Sequence, residues 1–289
     1  MKEKVKCKKC GLLIDKDKKI CPFCGYPQDI KDTENDHLPK QSFKKERAPL
    51  EIVDGTNCYF FQIHKHIILF LLGTVLMTIF QLFAQIIIEA ATSKEFLQSI
   101  NGLTYINIFA YSATFLVMFL FLFRYLPQFS KNTTVRINNF VPGIIGAACL
   151  ISFSVLYSFI STNLGATISN NQNLTMQIIQ QYPSVGLIIL GFVGPIVEEL
   201  TYRLGLFSSI RKHNRIGAYL VVSLIFGLIH FNFSSINTPN QLINELINFP
   251  SYALSGAILC FIYEKYGLEN SILAHILNNL ISVVQIMYI

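Results

Sequence analysis

Six side chains near the end of the chain have types and spacings that can do chemistry. Glu198, Glu199 and Arg203 fall in one apolar run as EELTYR. His230 closes FGLIH in the next run, and His275 and Asn279 bracket HILNN in the last. Ionisable groups in hydrocarbon are costly and are usually kept for function. Carboxylates, imidazoles and a carboxamide are what a hydrolase needs to activate water and hold a developing oxyanion.

Spacing divides the labour among them. Adjacent residues on a helix point about 100° apart, so Glu198 and Glu199 face differently. Glu199 and Arg203 are i,i+4 neighbours with the acid on the N-terminal side, the better order for an ion pair. The spacing predicts a supporting Glu199–Arg203 pair and leaves Glu198 as the working carboxylate. His275 and Asn279 are also i,i+4 and can point at one spot, with Asn278 about 100° away. Each group has a structural reading too: a buried salt-bridge network, a packed histidine, polar glue between helices. Three such groups on separate segments, all able to face one cavity, favour a site.

The elements that must position these groups are membrane segments. Of 289 residues, 52% are hydrophobic and 14% charged, with a mean hydropathy of +0.46. Soluble domains carry roughly 25% charged residues. About seven apolar segments of spanning length follow residue 60, near 66–91, 104–126, 141–162, 184–207, 216–236, 248–265 and 271–289. The expected fold is an all-α polytopic membrane helix bundle. Arg124, Lys131 and Arg136, then Arg211, Lys212 and Arg215, then Lys265 lie on one side, against Lys94 on the other. The positive-inside rule therefore puts the N-terminus in the cytoplasm and the C-terminus outside. No apolar stretch of a secretory signal follows Met1. Gly191, Gly194 and Pro195 precede Glu198 and predict a kinked fourth segment beside a cavity open to the cytoplasm.

Residues 1–27 carry a second chemistry. Cys7–Cys10 and Cys21–Cys24 are two CxxCG knuckles facing each other across a short polar stretch. Four thiolates so spaced make a tetrahedral zinc site, expected here as a structural Zn²⁺ in a small ribbon. A reducing cytoplasm disfavours disulfides instead. Residues 28–60 are charged and proline-punctuated and read as a flexible linker whose Lys and Arg can touch anionic lipid. Residues 61–289 form the membrane domain. Cys58, Cys149 and Cys260 read as small packing residues.

EELTYR, FGLIH and HILNN resemble the EExxxR, FxxxH and HxxxN motifs of the CPBP family. These are the CAAX-protease and bacteriocin-processing (Abi) intramembrane proteases. The likeness covers about residues 140–289, and every motif position is filled. It implies that Glu198 and His230 bind and activate a water, and that His275 and Asn279 hold the oxyanion. Glu199 and Arg203 would then orient Glu198. The family is described both as glutamate-dependent and as metal-dependent. Glu198, His230 and His275 would form a His₂Glu set with an open position, the ligand count of a catalytic zinc site. No HExxH and no GxSxG occurs in the chain.

The resulting expectation is an intramembrane endopeptidase acting on a membrane-associated peptide or protein. Bacteriocin immunity, peptide processing and CAAX-type processing are the candidate roles. The Lys-, Ile- and Asn-rich composition points to a bacterial cell membrane. The competing reading is a non-catalytic membrane immunity or scaffold protein that binds a peptide or protein. A proton-relay transporter is a third, against which stands the lack of paired broken helices. Membrane lipid and a protein partner for the ribbon are the other expected partners. Nucleic acid is not expected, because the rest of the chain is membrane.

Overall fold

Composition and length make helix of nearly every described residue after 62. The computed structural model describes residues 4–7, 13–16, 18–21, 51–52, 59–60, 63–123, 140–233 and 236–288. The chain divides into two units, Met1–Pro49 and Leu50–Ile289.

In the first unit, β1 (Lys4–Lys6) pairs antiparallel with β2 (Leu13–Asp15), Lys4 opposite Asp15 and Lys6 opposite Leu13. Cys7 and Cys21 are buried in one small cluster with Ile14, and Val5 packs against it. Cys10, Cys24 and most of the expected linker lie outside the described residues. In the second unit, β3 (Glu51–Ile52) pairs antiparallel with β4 (Tyr59–Phe60). The end of the stretch read as a flexible linker thus holds a short ladder.

Six helices of the second unit are long and apolar enough to cross a membrane. They are α1 (Ile63–Ala91), α3 (Ile100–Phe123), α4 (Val141–Asn163), α6 (Pro183–Arg211), α8 (Pro239–Tyr266) and α9 (Leu268–Met287). Between them lie α2 (Lys94–Gln98), α5 (Asn170–Gln181) and α7 (Arg215–Ile229). The expected seventh span, 216–236, is corrected to α7, a helix of 15 residues. That is about 22 Å at 1.5 Å per residue, short of a hydrocarbon core of about 30 Å. The helix stops because the His230 amide closes back on the Gly227 carbonyl and the Phe231 amide on the Leu228 carbonyl, tightening the last turn.

Burial shows which helix the others surround. Half of the apolar window of α6 is buried, against 17–33% for the other five spans. The outward faces of α1, α4 and α7 expose Ile86, Phe159 and Leu220, as a lipid-facing surface requires. The core gathers Leu204 and Phe207 of α6 with Val222 and Phe226 of α7 and Leu259 and Tyr263 of α8. Gly73 of α1 lies so close to Thr201 of α6 that a Cβ would stand 1.7 Å from its hydroxyl. Small residues allow this approach of helix backbones. His66 of α1 then reaches α6, its Nδ1 2.5 Å from the Leu204 carbonyl. Gly267, at φ 91°, makes the tight turn that joins α8 to α9.

Candidate active site

Gly186–Val193 and Glu199–Phe207 are wound as π-helix, with α-helical Gly194–Glu198 between them. The expected Gly/Pro kink is thus a change of winding on either side of Gly194 and Pro195. Turns of i→i+5 type are rare and concentrate at functional sites. Glu198 is the last residue of the α segment and Glu199 the first of the second π stretch. The two carboxylates therefore leave the helix at a junction of two windings.

They meet different surroundings. Glu199 and Arg203 are wholly buried, with Oε1 and Nη1 3.1 Å apart. Arg203 also donates from Nη2 to the Gly256 carbonyl at 3.3 Å, and its guanidinium lies 4.4 Å from the Phe226 ring centroid. Its Nη1 contact with Glu199 is an ion pair without hydrogen-bond alignment, and Nε has no hydrogen-bond partner. A buried guanidinium held this way depends on its carboxylate. Glu199 receives two further donors from α9: the Ser271 hydroxyl on Oε2, and His275 Nδ1 on Oε1 at 2.9 Å.

Glu198 faces a cavity of about 660 Å³. His230, His275, Asn278 and Asn279 line the same cavity, whereas Glu199 and Arg203 do not. The His275 Nε2 is 3.9 Å from Glu198 Oε2, on the ring edge opposite its bond to Glu199. The Tyr111 hydroxyl of α3 approaches Glu198 Oε1 at 3.5 Å. His230 uses Nδ1 on the Phe226 carbonyl at 2.8 Å. That bond makes Nδ1 the protonated nitrogen and leaves the Nε2 lone pair for the cavity. The His230 ring stacks on Tyr252 of α8, with centroids 4.6 Å apart and planes 12° from parallel. Asn279 donates from Nδ2 to the Leu190 carbonyl at 3.1 Å and accepts from Asn278 Nδ2 at 3.2 Å.

Motif residues on α6, α7 and α9 thus come together, in two layers. Glu198, His230, His275 and Asn279 contact the cavity; Glu199 and Arg203 stand behind them. Sequence reading missed Ser271, Tyr111 and Tyr252. Ser271 carried a usable signal, four residues before His275 and so on its helix face. Tyr111 and Tyr252 are set by packing between helices and carry none.

Residues 180–281 match the family described as type II CAAX prenyl endopeptidase Rce1-like. The match is to the family that the three motifs resemble, the CPBP proteases. It runs from the end of α5 into α9 and contains every motif residue, while Tyr111 lies outside it. No curated protein and no solved structure matches the chain. The six apolar spans support an integral membrane protein, and residues 180–281 are similar to CAAX-type intramembrane proteases.

The donor set bears on the family's metal-dependent description. Among the described residues no group of three His, Cys, Asp or Glu is placed to hold a metal ion. Glu198, His230 and His275 line one cavity without converging as ligands.

Proposed function

We propose that this protein hydrolyses peptide bonds of membrane-associated substrates, with Glu198 as general base. One observation carries the reading. Arg203 is taken up by Glu199, so Glu198 presents a carboxylate without an arginine partner to the cavity, 3.9 Å from a histidine nitrogen. A water between Glu198 and His230 gives its proton to the carboxylate and hydrogen-bonds to His230 Nε2. The hydroxide attacks the scissile carbonyl carbon, and the C–O π pair moves onto oxygen. His275 and Asn279 donate to that oxyanion; fixed donors in a dry site are the main source of such stabilisation. On collapse the C–N bond breaks, and Glu198 returns the proton to the leaving amine.

Glu199 and Arg203 act at one remove. Glu199 holds His275 through Nδ1 and so aims Nε2 at the cavity. Arg203 holds Glu199 in place. Peptide substrates in liposomes, incubated with wild type and Glu198→Gln, test the assignment. Cleavage by wild type alone supports it, and equal cleavage by both proteins overturns it.

The N-terminal unit is a zinc ribbon in this reading, with Cys7, Cys10, Cys21 and Cys24 as ligands. Its support is that Cys7 and Cys21, one from each knuckle, pack into one buried cluster. Zinc there would supply folding energy that so small a core lacks, and the ribbon would dock a protein partner.

A further inference from the structure

The helices of the second unit have two sets of ends, and hydrogen bonds show which ends lie together. Thr167, between α4 and α5, donates its amide to Asn244 Oδ1 of early α8 at 2.7 Å. Gln181, at the end of α5, donates to Asn101 Oδ1 of early α3 at 2.7 Å. These contacts gather the end of α4 with the starts of α3, α6 and α8. At the opposite ends, Arg215 of α7 donates to Glu264 of late α8 at 2.8 Å. There too the Gly143 amide of α4 meets Asn270 Oδ1 of α9 at 2.9 Å.

The cavity belongs to the first set of ends. From Glu198 its wall runs back along α6 to Leu190, and from His275 it runs forward along α9 to Ile286. On α4 it climbs from Leu150 to Thr162, and it continues over Thr167 and Gln172. Leu150 and His275 are buried, whereas Thr162, Thr167 and Gln172 are exposed. The floor therefore lies near the middle of the helices and the mouth at the α4–α5 connection. Neither Arg211, Arg215 nor Lys265, at the other ends, lines the cavity.

Charge tells the two sides apart. Arg211, Lys212, Arg215 and Lys265 stand at the ends away from the mouth, and the sequence between α3 and α4 adds Arg124, Lys131 and Arg136. On the side of the mouth, Lys94 is the single Lys or Arg in the connections 92–99, 164–182 and 230–238. The stretch 164–182, which carries the mouth, has no Asp, Glu, Lys or Arg. Short connections rich in Lys and Arg stay in the cytoplasm. The start of α1 packs on late α6 through His66 and Leu204, so the N-terminal end of α1 lies on the basic side. A cytoplasmic N-terminus and a cavity open to the cytoplasm, both expected from the sequence, are thus incompatible in this fold.

We propose that the catalytic cavity opens on the outer face of the membrane. The substrate, a point that rests on the proteolytic reading above, is then a membrane-associated peptide or membrane-protein flank presented from outside the cytoplasm. Exposed Ser158, Thr162 and Thr167 give the water consumed by hydrolysis a polar path from that side. The wall also carries Leu150, Leu259 and Val283, so a lipid-modified peptide can enter as well as a bare one.

Gln172→Cys and Lys212→Cys in the full chain, expressed in a bacterial host, test the side. Spheroplasts are treated with a membrane-impermeant maleimide, and wild type gives the baseline of the native cysteines. Gln172→Cys is expected to gain label in intact spheroplasts, and Lys212→Cys only after lysis. The opposite pattern overturns the inference. Alkaline phosphatase fused after Ile289 gives a second reading, since its disulfides form only outside the cytoplasm. Activity is expected, because α9 ends on the side of the mouth, and an inactive fusion counts against the inference.

The substrate side is tested with quenched-fluorescent peptides of mixed sequence, too polar to cross the bilayer. Spheroplasts and inside-out vesicles receive them, with wild type beside Glu198→Gln. Glu198-dependent cleavage by spheroplasts, lost in inside-out vesicles, is expected. Cleavage confined to inside-out vesicles overturns the outward-facing site and leaves the proteolytic reading standing. No Glu198-dependent cleavage in either preparation counts against the proteolytic reading and the substrate drawn from it, while cysteine labelling still decides the side.

Discussion

His275 is tied to Glu199 by a 2.9 Å contact between Nδ1 and Oε1, and that contact decides which nitrogen of the ring faces the cavity. A carboxylate only accepts, so Nδ1 carries the proton and Nε2 is turned toward Glu198. The two adjacent glutamates thus share one histidine, one from each edge of its ring. Their side chains differ in burial accordingly, 0% exposed for Glu199 and 15% for Glu198.

The first prediction separates those two carboxylates. Glu198→Gln is expected to lower kcat by about 10²–10⁴-fold, the usual contribution of a general base. Its thermal unfolding in detergent should match wild type. Glu199→Ala leaves Arg203 charged, buried and unpaired, which costs about 3–5 kcal/mol. A clear fall in unfolding temperature for Glu199→Ala alone is the expected outcome. The reverse pattern would exchange the roles of the two residues.

Tyr252 supplies the second. It holds the His230 ring face-on and also exchanges a 2.9 Å hydrogen bond with Ser169, the residue capping α5. Tyr252→Phe keeps the stack and loses the hydroxyl; Tyr252→Leu loses both. Misplacing a reacting group by about 1 Å can cost roughly 10²-fold in rate. The expected loss of kcat is therefore large for Leu and small for Phe. Equal losses would assign the effect to the hydroxyl.

Asn279 gives the third. Its amide has two hydrogens, and one is used on the Leu190 carbonyl. Asn279→Ala should lower kcat by about 10²–10³-fold, as losing one oxyanion donor does. KM should change little, because the contact strengthens only in the transition state. Asn278→Ala, which removes a donor to Asn279 and no donor to the oxyanion, should cost less. A dominant KM effect for Asn279→Ala would place it in substrate binding instead.

The fourth concerns zinc. Elemental analysis of the full-length protein should find about one zinc per chain, as a four-thiolate site binds a single ion. A Cys7→Ser, Cys21→Ser variant should lose that zinc and retain Glu198-dependent cleavage of a peptide in liposomes. Retention of the metal in this variant would move it out of the N-terminal unit.

The helix-face rule located Arg203 beside Glu199 and set His275 and Asn279 on a common cavity. Both results rest on contacts within one helix, where spacing determines position. Contacts between helices left no such trace: nothing in the spacing ties Tyr111 to Glu198 or Tyr252 to His230. The winding of α6 was half legible. Gly191, Gly194 and Pro195 flagged an irregular helix, but side-chain patterns do not reveal whether it kinks or widens. The length of α7 was misread for a related reason. Hydropathy counted Phe231, Phe233 and Ile236 as apolar, whereas the helix ends where the His230 amide turns back. Segment hydropathy registers what lipid tolerates, not where a hydrogen-bond ladder stops.

The Glu199–Arg203 pair is complete within α6, and this bears on biosynthesis. A lone arginine at the centre of a span raises the free energy of insertion by roughly 2.5–3.5 kcal/mol. Arg203 emerges from the ribosome four residues after its counter-ion, and long before Ser271 and His275 of α9 exist. The nascent α6 can therefore enter the bilayer as a charge-compensated segment, with the histidine recruited to an acid already in place. Glycosylation mapping of truncated nascent chains should accordingly show weaker insertion of α6 for Glu199→Gln than for Glu198→Gln. The order of synthesis would then be written into the motif itself: ion pair first, catalytic geometry last.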